Sequence, residues 1–188
     1  MRSKVSGLSF RGVELETEWL LLRGGLDRDL EPYARICAEP EVMRFIGDGS
    51  TLTRKQIGEQ ISYFVRHWQE RSFGLWAVEE KASGAFVGFA GLAHQENWIQ
   101  GGRKTEVGWR FGRAFWGRAF ATKVARTSVD YGFEGLGLEG IISIIQPENR
   151  ASRRVAQKAG LTLGGETRWR DADVVRYAID RDDVWSGI

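Results

Sequence analysis

The stretch Glu106–Thr122, EVGWRFGRAFWGRAFAT, decides the fold that this sequence predicts. Its first residues alternate, with Val107 on one side and Glu106 on the other, and they predict a strand over Thr105–Phe111. A loop of small residues follows and leads into a helix that we expect to run from about Gly117 to Phe133. The free N–H groups in the first turn of such a helix, together with its dipole, favour an anion such as pyrophosphate.

The glycine positions in this stretch exclude two common nucleotide-binding loops. They match neither the glycine, lysine and hydroxyl spacing of a P-loop nor the fingerprint of a dinucleotide-binding fold. Arg113 and Arg118 add positive charge beside the predicted start of the helix. Many strand–loop–helix junctions with glycine and arginine bind nothing, so the stretch by itself leaves anion binding and a purely structural role both open.

The remaining chain alternates between strand-like and helix-like patterns. The predicted strands are Trp19–Arg23, Phe73–Glu79, Phe86–Leu92, Glu139–Gln146, Leu161–Arg168 and Val174–Ile179. The predicted helices start at Asp27 or Asp29, at Thr53 and at Asn149, and the last of them ends at Ala159. The order β-α-α-β-β-β-α-β-α-β-β predicts an α/β fold in which a mixed sheet has helices on both faces. No linker or repeat divides the sequence, so residues 1–188 are predicted to form one domain.

The composition argues against several classes of protein. A net charge of +2 gives no support for nucleic-acid binding. The one cysteine, Cys37, excludes an intrachain disulfide and a cysteine-based zinc site, and His67 and His94 are too far apart to suggest metal ligands. The apolar run Ala85–Ala93 is too short to span a bilayer, and the N-terminus lacks the apolar core of a signal peptide. We therefore expect a cytoplasmic protein that uses no metal and binds no membrane.

A second segment, Ile141–Leu161 with the sequence IISIIQPENRASRRVAQKAGL, joins a buried strand to a short helix. Together the two segments resemble the GNAT acyltransferase superfamily, and most closely the branch that contains the ribosomal-protein N-terminal acetylases. The first is similar to that branch's E-[IV]-G-[YW]…[YF]-W-G-[QKR]-[GA]-x-[AG]-[ST] pattern, and the second to its P-x-N-x-x-S-x-x-[VL]-x-x-[KR]-x-G pattern. The likeness extends to Trp19–Arg23 and Val175–Ile179. Ala119 stands where glycine is usual, and Ala114 where Gln or Arg is frequent.

The resemblance implies an N-acetyltransferase that uses acetyl-CoA as donor and a primary amine, a protein N-terminus or a small amine, as acceptor. It also implies a GNAT-like, mostly antiparallel twisted sheet of about seven strands flanked by about four helices. The pantetheine arm would lie along the central strand, the pyrophosphate would bind the start of the helix, and Asn149 would cap its own helix and contact the arm. The implied cofactor-binding residues are Trp109, Arg110, Phe111, Arg113, Gly117, Arg118, Ala119, Phe120, Ala121, Thr122 and Asn149.

Glu106 is the candidate base. Acetyl transfer needs a neutral amine, so a group near the acetyl carbon must take a proton from the ammonium. Glu106, at the centre of the predicted sheet, would do so directly or through a water molecule. The alternative is a structural carboxylate that pairs with Arg103, Lys104 or Arg110.

Ser152 is the second candidate catalytic residue. The resemblance implies a position near the thioester sulfur, where the hydroxyl would protonate the leaving thiolate, although a serine in a first helical turn is ordinarily solvated. Cys37 lies on the predicted apolar stripe of the first helix, where burial keeps a thiol inert. We therefore expect direct attack in a ternary complex, without an acetyl-enzyme.

The acceptor site and two other functions stay open at this point. The resemblance suggests Phe45, Ile46, His94 and Trp98 as acceptor-binding residues, although a single histidine at a strand end is ordinarily structural. A CoA-binding module without catalysis is one alternative function. A basic nucleic-acid binder is another, and it would rest on Arg150, Arg153 and Arg154. The last two arginines more simply form a solvated helix face or contact the 3′-phosphate of CoA. We expect no nucleic-acid partner, and either a monomer or a homodimer.

Overall fold

The structure, a computed structural model, describes residues 12–185; residues 1–11 and 186–188 of the predicted domain lie outside the described part. The strands are β1 Leu15–Glu16, β2 Leu20–Arg23, β3 Leu75–Glu80, β4 Phe86–His94, β5 Thr105–Phe111, β6 Gly140–Ile145, β7 Thr162–Trp169 and β8 Ala172–Asp180. The α-helices are α1 Leu30–Cys37, α2 Pro40–Met43, α3 Arg54–Arg71, α4 Phe120–Asp130, α5 Arg150–Lys158 and α6 Arg181–Trp185.

The strands form one sheet in the order β1-β2-β3-β4-β5-β6-β8-β7. Neighbouring strands are antiparallel except β5 and β6, which are parallel. The predicted α/β fold with a mixed, mostly antiparallel sheet is confirmed, and β6 lies inside the sheet as its apolar residues on both faces predict. The described residues contain eight strands rather than about seven, because the very short β1 pairs with β2 at the edge.

The parallel pair β5–β6 opens soon after it begins. Glu106 and Ile142 are the residues registered across it, although β5 continues to Phe111 and β6 to Ile145. By contrast, β4 stays paired with β5 as far as the partners Gly88 and Phe111. The two central strands therefore diverge toward their C-terminal ends and leave an opening in the middle of the sheet.

Helices cover both faces of the sheet, as the sequence predicts. On one face, Tyr33 of α1 and Phe64 of α3 pack against Phe89 of β4, with ring centroids 4.8 and 5.2 Å from it. On the other face, Val107 of β5 is fully buried in a cluster that includes Val129 of α4 and residues of β6 and α5. Burial of these side chains supplies the main driving force for folding and fixes α4 beside the opening.

Two helix boundaries differ from the predicted ones. The helix expected from Gly117 begins at Phe120, because Gly117 and Ala119 have positive φ values that an α-helix does not contain. It continues after Asp130 as a π-helical turn over Tyr131–Gly135.

The short helix α2 starts with proline, which suits the first position of a helix because its missing N–H would be unpaired there anyway.

Candidate active site

The N-terminus of α4 carries a run of unpaired backbone N–H groups. Gly117 and Ala119 have φ values of +74° and +60°, and Trp116 Nε1 ties this loop to the end of β5 by donating to Phe111 O at 2.9 Å. Within the described chain, the N–H groups of residues 117–122 donate no hydrogen bond and no side chain caps the helix. Such a row of N–H groups at the positive end of a helix fits the oxygens of a diphosphate.

The two arginines predicted to contact phosphate are paired with carboxylates. Arg113 lies 2.8 Å from Glu41, and both side chains are exposed, so this pair contributes little stability. Arg118 is bonded to Glu80, and its guanidinium lies over the ring of Phe120 at 4.4 Å from the centroid. Both arginines therefore flank the start of α4, but each would have to leave or share its carboxylate to contact a phosphate.

The carboxyl group of Glu106 lies where β5 and β6 diverge. Its Oε1 accepts a hydrogen bond from the backbone N–H of Ile144 at 3.2 Å, and its Oε2 accepts one from Gln95 Nε2 at 2.6 Å. The Ile144 bond joins the two central strands through a side chain beyond their last registered residues. Across residues 12–185, the partners of Glu106 do not include Arg103, Lys104 or Arg110, so the alternative interpretation of an ion pair with these residues is not supported.

Burial raises the pKa of Glu106 to about 7. The hydrogen bonds from Ile144 and Gln95 and the positive charge of Arg170 act in the opposite direction, but they do not cancel the cost of desolvating the carboxylate. A general base works best when its pKa lies near the pH of the reaction. The electrostatics of Glu106 therefore suit proton transfer at neutral pH.

The start of α5 follows the C-terminal end of β6, the second of the two strands that border the opening. Asn149 caps α5, as predicted, because its Oδ1 accepts a hydrogen bond from the Ser152 N–H at 3.1 Å. Both side chains are partly buried. They follow the C-terminal end of β6, whereas Glu106 lies near the closed end of the opening. The contacts of Asn149 with CoA and of Ser152 with a thiolate stay predictions.

The side chain of Arg110 points away from the start of α4. Its Nη1 donates to Gln60 Oε1 at 2.9 Å and to Cys37 Sγ at 3.4 Å, and its guanidinium lies 5.7 Å from the centroid of Tyr33. The side chain thus joins β5 to α1 and α3, which leaves only the backbone of Arg110 for the predicted contact with CoA. Cys37 is fully buried in this cluster.

The predicted acceptor-binding pair Phe45 and Ile46 lies in the loop after α2. Both side chains are partly buried. The next residue, Gly47, accepts a hydrogen bond through its backbone oxygen from Gln146 Nε2 at 3.1 Å. Because Gln146 directly follows β6, this bond brings the loop to the wide end of the opening between the central strands.

The other two predicted acceptor residues differ in exposure: the His94 side chain is partly exposed, so its predicted role stays a prediction, whereas Trp98 is buried. The backbone N–H of His94 donates to His67 Nε2 at 2.9 Å, so the neutral His67 ring carries its proton on Nδ1 and donates it to Phe73 O at 2.8 Å. Burial lowers the pKa of both histidines. Trp98 is 1% exposed, because its ring packs edge-on against Trp169 at a centroid distance of 6.0 Å. Trp98 therefore does not form the wall of an exposed pocket.

Two residues that touch or influence Glu106 were not selected by sequence reasoning. Gln95 donates to Glu106, and the charge of Arg170 acts on it. Gln95 opens a polar loop and Arg170 lies in the turn between β7 and β8. No spacing or motif links these positions, because the sheet brings them together over 75 residues of chain.

The described residues show neither a metal site nor a membrane span. Among residues 12–185, no group of three or more His, Cys, Asp and Glu side chains is arranged to hold a metal ion. No helix in this part of the chain combines the length and the apolar character needed to cross a membrane.

Known proteins are similar to this chain in sequence. The family model described as acetyltransferase (GNAT) domain matches residues 20–162. The uncharacterized N-acetyltransferase YoaA of Bacillus subtilis is 30% identical over 154 residues, which cover 82% of this chain and 85% of that protein.

Solved structures show the same fold. An acetyltransferase from Agrobacterium tumefaciens strain C58 superposes with a TM-score of 0.77 and 25% identity, over 96% of this chain and 100% of that one. RimL, a ribosomal L7/L12 alpha-N-protein acetyltransferase in complex with coenzyme A, superposes with a TM-score of 0.74 and 14% identity, over 91% of this chain and 99% of that one.

Proposed function

The chain belongs to the GNAT acetyltransferase family and is an N-acetyltransferase, and from this premise we propose that it transfers acetyl from acetyl-CoA to a primary amine by direct attack. The observation that carries this proposal is the carboxyl group of Glu106, whose pKa is about 7, at the point where β5 and β6 diverge. A base there can accept the proton of an ammonium group that enters the opening.

The donor would be held by the start of α4 and by the opening beside β5. The free N–H groups of residues 117–122 match the oxygens of a diphosphate. The divergence of β5 and β6 leaves strand edges that an extended arm can pair with. The residues of this chain thus fit coenzyme A, which supplies the acetyl group as a thioester when it is bound.

Direct attack accounts for the residues without a covalent intermediate. Glu106 takes the proton from the ammonium, and the amine nitrogen then forms a bond to the acetyl carbon while the bond from that carbon to sulfur breaks. As the amide forms, the nitrogen gives up its second proton to the hydroxyl of Ser152, which passes its own proton to the departing thiolate and so remains a neutral hydroxyl group. Backbone N–H groups near Trp109–Phe111 would stabilise the negative charge that develops on the acetyl oxygen. The buried Cys37 takes no part.

The acceptor is proposed to be a peptide N-terminus or a small primary amine. The structural likeness to RimL supports the first, since that protein is named for acetylation of an α-amino group. The loop with Phe45 and Ile46, held at the wide end of the opening through Gly47, would contact the acceptor. A cytoplasmic location and a monomeric or dimeric state stay predictions of the sequence.

The proposed function is tested by measuring thiol release from acetyl-CoA with a panel of peptides and small amines. Peptides with blocked N-termini and no lysine serve as matched controls. Mass spectrometry should detect one added acetyl group on the amine that supports release. Binding of CoA with no release above the blocked controls, for any amine, would instead favour a CoA-binding module without catalysis.

A further inference from the structure

The hairpin of β7 and β8 reaches the neighbourhood of Glu106 through its turn. Arg170 and Asp171 have φ values of +49° and +63°, which is the pattern of a tight two-residue hairpin turn. The turn is fixed against the loop that follows β4, because Trp169 packs edge-on against the buried Trp98. The guanidinium of Arg170 lies 4.1 Å from the centroid of the Trp169 ring, which holds this exposed side chain over the turn.

A chain of hydrogen bonds leads from this turn to Glu106. Arg170 Nη2 donates to Gln95 Oε1 at 3.4 Å, and Gln95 Nε2 donates to Glu106 Oε2 at 2.6 Å. The backbone N–H of Ile144 donates to the other carboxyl oxygen at 3.2 Å. A guanidinium can only donate, so it selects the orientation of the Gln95 amide in which the oxygen faces Arg170 and the NH₂ group faces Glu106.

We propose that Arg170 is a positioning residue, which orients Gln95 so that its amide holds the carboxyl group of Glu106 at the divergence of the central strands. This inference rests on the proposed function, in which Glu106 is the base. With the amide reversed, its oxygen would face the carboxylate and repel it. The C-terminal hairpin is therefore part of the site, although it contributes no group that touches the reacting atoms.

The other charged groups near this end of the sheet are engaged elsewhere. From the loop before β5, Arg103 pairs with Asp180 at 2.6 Å and Lys104 Nζ donates to Glu96 O at 3.3 Å. Burial and the positive charge of Arg71 lower the pKa of His94, which favours its neutral form, and β6 carries no charged residue. Arg170 is the charge that lowers the pKa of Glu106 against the effect of burial.

The inference is tested with Arg170→Met, Gln95→Met and the double variant. In Arg170→Met, the carbon-13 NMR titration of the Glu106 carboxyl group should move to higher pH. The acid limb of kcat/KM against pH should move with it, so that kcat/KM at pH 7 falls by roughly threefold. The KM for acetyl-CoA should stay the same. Arg170→Lys should restore part of the effect, because lysine also donates.

Arg168→Met is the matched control, since Arg168 lies on the same hairpin and pairs with Asp173 at 3.4 Å. It should leave both the titration and the activity profile unchanged. The charge of Arg170 also acts on Glu106 directly, so its replacement should still shift the Glu106 titration in the Gln95→Met background, but by clearly less than when Gln95 is present.

Three outcomes separate the explanations. An unchanged Glu106 titration in Arg170→Met would overturn the inference. If Arg170→Met shifts the Glu106 titration equally with Gln95 and in the Gln95→Met background, the inference is also overturned. Arg170 would then act by its charge alone. A titration that moves while the activity profile does not would retain the positioning role and refute Glu106 as the base.

Discussion

Glu106 combines burial with hydrogen bonds that a surface carboxylate does not have. Desolvation raises its pKa from 4.5 to about 7, and bonds from Ile144 and Gln95 hold its two oxygens in place. An unshifted carboxylate would be ionised throughout the neutral range and would be a weak base. The shifted one exchanges its proton within that range, which links the local packing directly to the proposed chemistry.

Replacement of Glu106 by Gln should lower kcat/KM for an α-amine by about a hundredfold at pH 8, a typical contribution of a general base. The loss should shrink below pH 7, where Glu106 is already protonated, and also at high pH, where the amine is neutral without help. The measurement is a pH profile for both proteins. Glu96→Gln removes an exposed carboxylate in the loop between β4 and β5 and is the control. Parallel profiles for Glu106→Gln and the wild type would contradict the assignment.

The same shift predicts how stability depends on pH. The folded protein retains a proton on Glu106 that the unfolded chain releases, so the wild type loses stability relative to Glu106→Gln as pH rises from 4.5 to about 7. The difference should approach about 3 kcal/mol above pH 7 and be absent below 4.5. Urea unfolding of both proteins at pH 4 and pH 8 measures it. A pH-independent difference would show that the carboxyl group is not desolvated as described.

At the scale of elements, the start of α4 owes its shape to two left-handed residues. Gly117 accepts its positive φ without strain, whereas Ala119 pays a steric penalty at +60°. This explains why glycine is usual at the second position in the pattern that the sequence resembles. The left-handed conformations place residues 117–119 outside the helix, and the N–H groups of residues 120–122 are unpaired because these residues form its first turn.

Ala119→Gly should therefore stabilise the protein by up to about 1 kcal/mol and leave CoA affinity unchanged, because it relieves the strained φ.

Gly117→Val and Ala119→Val should weaken CoA binding, since a β-branched residue rarely adopts positive φ. Calorimetric titration with CoA and thermal unfolding measure both effects.

Gly102→Val is the control for strain alone. Gly102 has φ +71° and no heavy atom within 4 Å of an added Cβ, as is also true of Gly117. It should lose stability but keep its CoA affinity. If Gly117→Val and Ala119→Val bind CoA as tightly as the wild type does, the diphosphate must bind elsewhere.

At the scale of the whole molecule, the divergence of β5 and β6 is where the proposed reaction would bring its two substrates together. One face of the sheet carries α4 and its free N–H groups, and the other carries α1, α3 and the loop that reaches Gln146 through Gly47. A donor and an acceptor can therefore approach the same opening from different elements. This arrangement favours a ternary complex over a covalent relay.

Initial-rate kinetics should accordingly give intersecting lines in both substrates, and no acetylated protein should form when acetyl-CoA is supplied without acceptor. Cys37→Ala should keep full activity, because that thiol is buried and bonded to Arg110. A chelator should leave the rate unchanged, since the reaction needs no Lewis acid. Parallel lines, or an acetyl group trapped on the chain, would overturn direct attack.

The sequence by itself determined most of the strands and helices, although not the short β1, α2 and α6, and it indicated the junction at which an anion site is predicted. Alternation over Thr105–Phe111, a strand apolar on both faces at Glu139–Gln146, and the cap at Asn149 are local patterns, and local patterns are readable because they depend on neighbours along the chain. The small residues around Gly117 likewise predicted a helix start that a ligand can approach. The exact start at Phe120 was missed, since the left-handed conformation of Ala119 is not encoded by alanine.

Only the tertiary structure decided the environment of Glu106. Its pKa depends on burial, and its partners Gln95 and Ile144 come from the end of β4 and from β6. The burial of Trp98 against Trp169 could likewise not be predicted from the sequence. Desolvation and contacts between distant segments depend on how the sheet assembles, and no spacing along the chain records which side chains the assembly will bring together.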